Sequence, residues 1–204
     1  MLVPSMSIDE LRIEMGKDML ILMRKSDYVA HKLMRAHMPL KDKHIVRFYD
    51  YYSKYKNNWI YRIEMTKKIT LFSYMAYFET PKGINAMYML QPQLALCYFT
   101  SHVFNRYNER TKLNLVKPIE IMQSFMNNNG QMQAETLEET SAKIAKVFVV
   151  SDSGVLLGWY DGEKKFYKFN TFITHEMLKG DQLEREAELK LQLEKYKGNR
   201  GRLD

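Results

Sequence analysis

One histidine and two arginines recur at helical spacing in the middle of the chain. They are His102, Arg106 and Arg110, within the segment 100–110. Side chains four residues apart lie on one face of an α-helix, so the three would form a single stripe. Imidazole exchanges a proton near neutral pH, and guanidinium groups bind phosphate through paired donors. The spacing indicates either a site for an anionic substrate or a basic helix face that is simply solvated.

Two further polar residues, Thr174 and His175, follow a predicted strand near the C-terminus. A hydroxyl group at a strand end can hold a phosphate or orient a nucleophile. Thr174 can equally cap the next helix, which is the interpretation we favour. With His102, Arg106 and Arg110 they form the predicted catalytic set, in which a histidine serves as base or acid and the guanidiniums stabilise a phosphorane. This chemistry uses no cofactor and no metal ion.

The pattern His-x-x-x-Arg-Tyr-x-x-Arg, a later glycine-bounded hairpin and a strand with a threonine-rich end span about residues 100–178. They resemble phage- and mobile-element-linked members of the barnase–EndoU–colicin–RelE-like superfamily. The resemblance implies a small α+β fold and metal-independent endoribonuclease activity. It also implies that His102 corresponds to the family's helix histidine and that Arg106 and Arg110 correspond to its basic residues. Thr171 or Thr174 would correspond to the polar residue that ends a late strand.

The composition indicates a globular, basic protein. Thirty-one Lys and Arg against 24 Asp and Glu give a formal charge of +7 over 204 residues. Such a balance favours nucleic acid or another acidic partner. The apolar runs are shorter than the roughly 20 residues that span a bilayer, so we expect no membrane association.

Cysteine and histidine usage excludes several classes of site. Cys97 is the sole cysteine and lies in an apolar run. A lone cysteine allows no disulfide framework, which is typical of a reducing cytoplasm, and we expect it to be buried rather than nucleophilic. His31, His37 and His44 lack the spacing and the cysteine partners of a zinc site.

The N-terminal region predicts a helical arm over residues 1–41. Ser7 opens a capping box, and apolar residues recur at helical spacing over 8–24. The pattern resumes after the junction at 25–26 and ends at Pro39, which favours two helices over one continuous rod. The arm is rich in methionine and can pack on the core or bind a partner protein.

Residues 42–178 predict an α+β core domain that begins with an antiparallel meander. From about 59 to 99 the apolar and polar residues alternate, and turn residues separate the runs. Residues 42–55 fit a helix or a strand, and Asp42, which can cap a helix, slightly favours the helix. The aromatic residues here can stack on single-stranded nucleic acid or form a half-buried sheet face.

Central helices and a second sheet complete the predicted core. We expect a helix over 118–126, a surface loop over 131–135 and a further helix over 136–145. Alternation over 147–174 predicts an antiparallel β-hairpin sheet at the C-terminal end of the core. Residues 179–204 predict a long polar helix followed by a disordered basic tail.

Two functions follow from these patterns. The first is a small, toxin-like, metal-independent ribonuclease that cleaves RNA from the His102 helix by general acid/base chemistry. The alternative is a non-catalytic module of a mobile element or phage, which binds nucleic acid through this basic helix or a protein partner through the terminal helices. In either case we expect a cytoplasmic protein.

Overall fold

The computed structural model describes residues 1–37, 44–66, 69–90, 95–141 and 144–200. The helices are α1 (Ile8–His37), α2 (Ser101–Arg110), α3 (Pro118–Asn128) and α4 (Asp181–Arg200). The strands are β1 (His44–Tyr52), β2 (Asn58–Thr66), β3 (Thr70–Thr80), β4 (Gly83–Leu90), β5 (Ala95–Phe99), β6 (Met132–Ser141), β7 (Ile144–Ser151), β8 (Val155–Asp161) and β9 (Phe166–Ile173). The α+β class and the order of helix, meander, central helices and closing sheet are confirmed.

All nine strands belong to one sheet, in the order β1-β2-β3-β4-β5-β9-β8-β7-β6. The first five strands form one antiparallel meander and the last four form another. The two meanders meet at the single parallel pair, β5 with β9, in which Leu96 lies opposite Phe166 and Phe99 opposite Phe169. A parallel connection needs a crossover, and here α2, α3 and strands β6 to β8 supply it.

Helix α1 covers the first meander on one face of the sheet. Its buried residues Leu11, Met15 and Leu22 pack against Trp59 and Tyr61 of β2. The prediction of two helices is wrong, because α1 is continuous through the 25–26 junction. There the Ser26 hydroxyl donates to the carbonyl of Met23 and lies 2.6 Å from the hydroxyl of Tyr74, so the junction is held on the sheet.

Helix α4 covers the opposite end of the same face. Leu189 packs with Phe148 and Val150 of β7. Lys146 of β7 lies opposite Trp159, which belongs to the core beneath α1. Because alternate residues of a strand share a face, Phe148 and Val150 point to the side that α1 covers. The disordered tail was predicted to begin at Gly198, but α4 extends to Arg200, and residues 201–204 lie outside the described residues.

Helices α2 and α3 cover the centre of the other face through aromatic packing. Phe125 of α3 meets Phe104 and Tyr107 of α2 edge to face, with ring centroids 5.4 and 5.3 Å apart. Tyr107 makes the same contact with Phe172 of β9 at 5.2 Å. Edge-to-face pairs are favourable beyond the area they bury, and they fix α2 and α3 to the middle of the sheet.

Two segments differ from the predicted secondary structure. Residues 44–52 form strand β1 instead of the slightly favoured helix, because they pair along their whole length with β2 and turn Ile45, Tyr49 and Tyr51 toward the core under α1. The proposed helix cap at Asp42 lies outside the described residues. Pairing with a neighbouring strand overrides a local spacing that fits both states.

The loop predicted over 131–135 and the helix predicted over 136–145 are also wrong. Residues 132–141 form β6 and residues 144–145 begin β7, and these two strands pair antiparallel, while residues 142–143 lie outside the described ranges. An edge strand tolerates polar and acidic side chains, because one side of it stays open to solvent. Glu135, for example, forms an ion pair with Arg185 of α4 at 2.9 Å.

A polar network fastens α1 to the turn before β2. The buried carboxylate of Asp18 accepts hydrogen bonds from the Asn57 amide at 2.8 Å and from the Trp59 indole at 2.9 Å. Glu14, one turn earlier, accepts a 2.6 Å bond from Lys17. Hydrogen bonds from Lys17 and from the amine of Met1 lower the pKa of Glu14 from 4.5 to about 2.

We predict that acid weakens the fold partly through Glu14. A carboxyl with a lowered folded-state pKa stabilises the fold above its unfolded pKa and loses that contribution as the pH falls to the folded value. Between about pH 4.5 and pH 2, wild type should therefore lose more unfolding free energy than Glu14→Gln. The expected difference is about 1–2 kcal/mol, reduced by solvent screening of the partners. Urea unfolding across this pH range measures it, and parallel profiles for the two proteins would contradict it.

Candidate functional site

The histidine–arginine stripe predicted on α2 lies on one face of that helix. His102 is exposed, and the Nε of Arg106 donates to its Nε2 at 3.4 Å. The other end of the Arg106 guanidinium is engaged, because its Nη1 lies 2.6 Å from a carboxylate oxygen of Glu109. Part of the positive charge near His102 is therefore neutralised by a neighbour on the same helix.

Arg110 has a structural contact at the end of α2. Its Nη1 donates to the backbone carbonyl of Phe172 on β9. A cation at a helix C-terminus also complements the helix dipole. This guanidinium joins α2 to the strand on which it packs.

Thr174 and His175 lie where β9 leaves the sheet. Thr174 precedes a short 3-10 helix, His175–Met177, but its hydroxyl makes no capping hydrogen bond. His175 Nε2 lies 3.2 Å from the carbonyl oxygen of Asp152, in the turn between β7 and β8. Its Nδ1 lies 2.5 Å from a carboxylate oxygen of Glu186, although their angle is not that of a hydrogen bond. His175 thus connects this turn with α4.

The five predicted residues fall into separate environments. His102 and Arg106 touch each other, whereas Arg110 contacts β9 and His175 contacts α4. About 12 Å of helical rise separates His102 from Arg110. None of the five lines either the cavity described next or a smaller one beside the N-terminus. Their catalytic role stays a prediction.

A cavity of about 550 Å³ lies on the same face of the sheet as α2 and α3. Its floor consists of side chains from β3, β4, β5, β7 and β9. Its roof is the end of α3 and the segment 129–134, which continues into β6, and Leu193 of α4 contributes at the side. The lining residues are Ser73, Met75, Tyr88, Leu90, Cys97, Phe99, Phe125, Met126, Asn129, Gly130, Gln131, Met132, Gln133, Ala134, Val149, Tyr167, Phe169 and Leu193.

The cavity lining combines aromatic, aliphatic and methionine side chains with the neutral polar side chains of Ser73, Asn129, Gln131 and Gln133, and none of its residues carries a formal charge. Burial raises the pKa of the Cys97 thiol to about 12, so the sulfur stays protonated at physiological pH. Burial also raises the pKa of Tyr167 above its ordinary value. The polar atoms available to a ligand are therefore neutral hydroxyl, thiol and amide groups.

Gln131 carries the one polar atom of the lining that is buried without a partner in the part of the chain the structure describes. This atom is its side-chain carbonyl oxygen, Oε1. The side chain of Asn129, also in the roof, is hydrogen-bonded at both of its polar atoms. Its amide donates to the carbonyl of Phe125 at 3.0 Å, and its carbonyl oxygen accepts from Ser151 and Ser153. A buried acceptor without a donor costs about 1–3 kcal/mol, so a ligand donor placed here would be stabilised.

The sequence contains no motif for this cavity. Met75, Tyr88, Cys97 and Phe99 alternate with residues of the opposite sheet face, and that pattern predicts ordinary core positions. The one local signal is the polar stretch 127–131, which follows the apolar residues of α3. It predicted a helix stop, and its position above the sheet depends on tertiary structure.

Comparison with known proteins assigns no family to this chain. No protein-family model, curated protein sequence or solved structure matches the chain. Within the described ranges, no cluster of three or more His, Cys, Asp or Glu side chains is arranged to hold a metal ion. No helix there is long and apolar enough to cross a bilayer.

Proposed function

We propose that the protein is a non-catalytic binding module that holds a small, uncharged and largely apolar ligand in the cavity beneath residues 129–134. The observation that carries this proposal is an uncharged hollow of about 550 Å³ whose aromatic, aliphatic and methionine side chains are joined by a few neutral polar ones. Pockets of 300–1,000 Å³ with apolar walls and a few polar groups are the usual form of small-molecule sites.

The absence of charge from the described lining sets the ligand class. Moving a carboxylate or phosphate out of water costs several kcal/mol unless an opposite charge or many hydrogen bonds compensate. The lining offers neither a cation nor an anion for such compensation. The cavity therefore favours a neutral ligand over a nucleotide or an RNA phosphate.

Gln131 gives the ligand a preferred orientation. A hydroxyl or amide hydrogen on the ligand can donate to Gln131 Oε1, the unpartnered acceptor in the roof. The remaining ligand surface then packs on Tyr88, Leu90 and Tyr167, which are the partly exposed side chains of the floor. The ligand class is a mostly apolar molecule with one hydrogen-bond donor.

Two dyes that share one aromatic skeleton test the proposal. N-phenyl-naphthylamine is neutral, whereas anilinonaphthalene sulfonate carries a permanent negative charge. We expect the neutral dye to bind with enhanced fluorescence and the sulfonate to bind at least about tenfold more weakly, because the charge loses its hydration without a partner. Fluorescence titration measures both dissociation constants.

Paired tryptophan substitutions locate the dye. Ala134→Trp places a large side chain in the roof, whereas Thr136→Trp changes an exposed position two residues along the same strand, outside the cavity lining. We expect Ala134→Trp to weaken binding of the neutral dye at least about tenfold and Thr136→Trp to leave it unchanged. Equal affinity in both variants, or equal binding of the two dyes by wild type, would contradict the proposal.

Metal-independent RNA cleavage at α2 is a second candidate function. One observation favours it, namely the contact of the exposed His102 with Arg106, in a chain of net charge +7. In such a reaction His102 would exchange a proton with a ribose hydroxyl while the Arg106 guanidinium contacts the phosphate.

His102→Ala tests this second function without disturbing the fold. Because His102 is exposed, we expect the free energy of unfolding to change by less than about 0.5 kcal/mol. If α2 is catalytic, this variant should lose RNA cleavage in chelator while retaining RNA affinity. His31→Ala, at an exposed histidine of α1, is the matched control. An inactive wild type, or cleavage that persists in His102→Ala, excludes the assignment.

A further inference from the structure

Helix α1 carries a second apolar stripe on the side that faces away from the sheet. Ile13 and Leu20 are 65% and 60% exposed, and Met23 and Met34 are also exposed. Counted from Ile13, these residues fall at positions 0, 7, 10 and 21, which are core positions of a heptad repeat, and Asp27 interrupts the repeat at position 14. Since the buried stripe of α1 already packs on the sheet, this outer stripe is available to another helix.

Gly16 lies in the same outer stripe, three residues after Ile13 and four before Leu20. The space above its Cα is open, because a Cβ built there meets no atom within 4 Å. A residue without a side chain lets a neighbouring helix approach α1 closely at this point. The stripe therefore has both apolar side chains and a depression into which another side chain fits.

Helix α4 carries a matching stripe. Leu191 is 59% exposed, and Leu183 and Ala187 are exposed on the same side at intervals of four residues. The opposite side of α4 is buried through Leu189 and Leu193. Like α1, this helix has one apolar side on its own core and another toward solvent.

The charges beside the two stripes are mainly opposite, with Asp27 on α1 and Lys195 on α4 as exceptions. Arg24 follows Leu20 and Met23 on α1, whereas Glu184 and Glu188 follow Leu183 and Ala187 on α4. None of these three charged groups has an ion-pair partner in the ranges that the structure describes. Opposite charges beside apolar core positions are the feature that selects helix partners and their orientation.

Both helices lie on one face of the sheet, α1 over β2 and β3 and α4 over β7, at opposite ends. A two-fold axis parallel to the strands would place each end of this face over the other end of a second copy. The outer stripe of α1 in each copy would then contact the outer stripe of α4 in the other copy. The two equivalent contacts form a closed, symmetric dimer.

We infer that two copies of this chain associate face to face as a dimer, with the outer stripe of α1 against the outer stripe of α4 from the second copy. Each outer stripe is therefore covered by a helix from the second copy of the chain. This inference concerns the outer sides of α1 and α4, whereas the cavity is lined by Leu193 on the buried side of α4.

Analytical ultracentrifugation of the full chain tests the dimer. Wild type should sediment at twice the chain mass of 24.3 kDa at micromolar concentration. Leu20→Glu and Leu191→Glu should each raise the dimer dissociation constant at least about 100-fold, because each buries a charge in both contacts. Val116→Glu, an exposed apolar position between α2 and α3, should leave the constant unchanged. Circular dichroism confirms that the variants are folded.

Charge exchange tests which helices meet. Arg24→Glu should weaken the dimer, and adding Glu184→Arg and Glu188→Arg to the same chain should restore it. If Leu20→Glu abolished the dimer but Leu191→Glu did not, α1 would pair with α1 of the second copy, and the pairing of α1 with α4 would be overturned. A monomeric wild type at about 100 µM, or assembly beyond a dimer, would also overturn the inference.

Discussion

The parallel pairing of β5 with β9 determines how the rest of the chain is arranged. These strands run side by side in one direction, so the chain between them must leave the sheet and return to it. It does so by placing α2 and α3 over the centre of one face and then crossing to the far edge, where β6 begins. Segment 129–134 makes this crossing, and the cavity is the space between it and the strands below.

The ends of the crossing segment are fixed, which keeps the hollow open. At one end Asn129 accepts hydrogen bonds from Ser151 and Ser153, and its amide donates to the last turn of α3. At the other end β6 pairs with β7 from Met132 onward. The floor consists of strand residues whose backbone is already paired. A roof held by hydrogen bonds at both ends over a hydrogen-bonded floor favours a preformed site, which lowers the entropic cost of binding.

Local pattern was sufficient for those parts of the fold in which neighbours in sequence are neighbours in space. Alternation with turn residues predicted β2 to β4 and the hairpin of β8 and β9, and Pro118 marked the start of α3. Local pattern was insufficient where pairing with a segment distant in sequence determines the secondary structure. Residues 44–52 and 136–141 have ambiguous or helical spacing and become strands because β2 and β7 offer their edges.

The same limit applies to the candidate site. The stripe of His102, Arg106 and Arg110 was predictable because it lies on one helix, whereas the contacts of Arg110 with β9 and of His175 with α4 join distant segments. The cavity has no local signature at all. Its residues come from strands and helices more than 100 positions apart, from Ser73 to Leu193. Only the parallel pair in the middle of the sheet brings them together.

Methionine methyl groups provide the most direct measurement of whether this cavity binds a neutral ligand. Met75, Met126 and Met132 line it, whereas Met15 lies under α1 and Met23 on its outer side. In a titration of isotope-labelled protein with naphthol, a neutral aromatic molecule with one donor, the methyl resonances of Met75, Met126 and Met132 should shift together and saturate. Saturable shifts confined to Met15 or Met23, or no saturable shift at any methionine, would contradict the account.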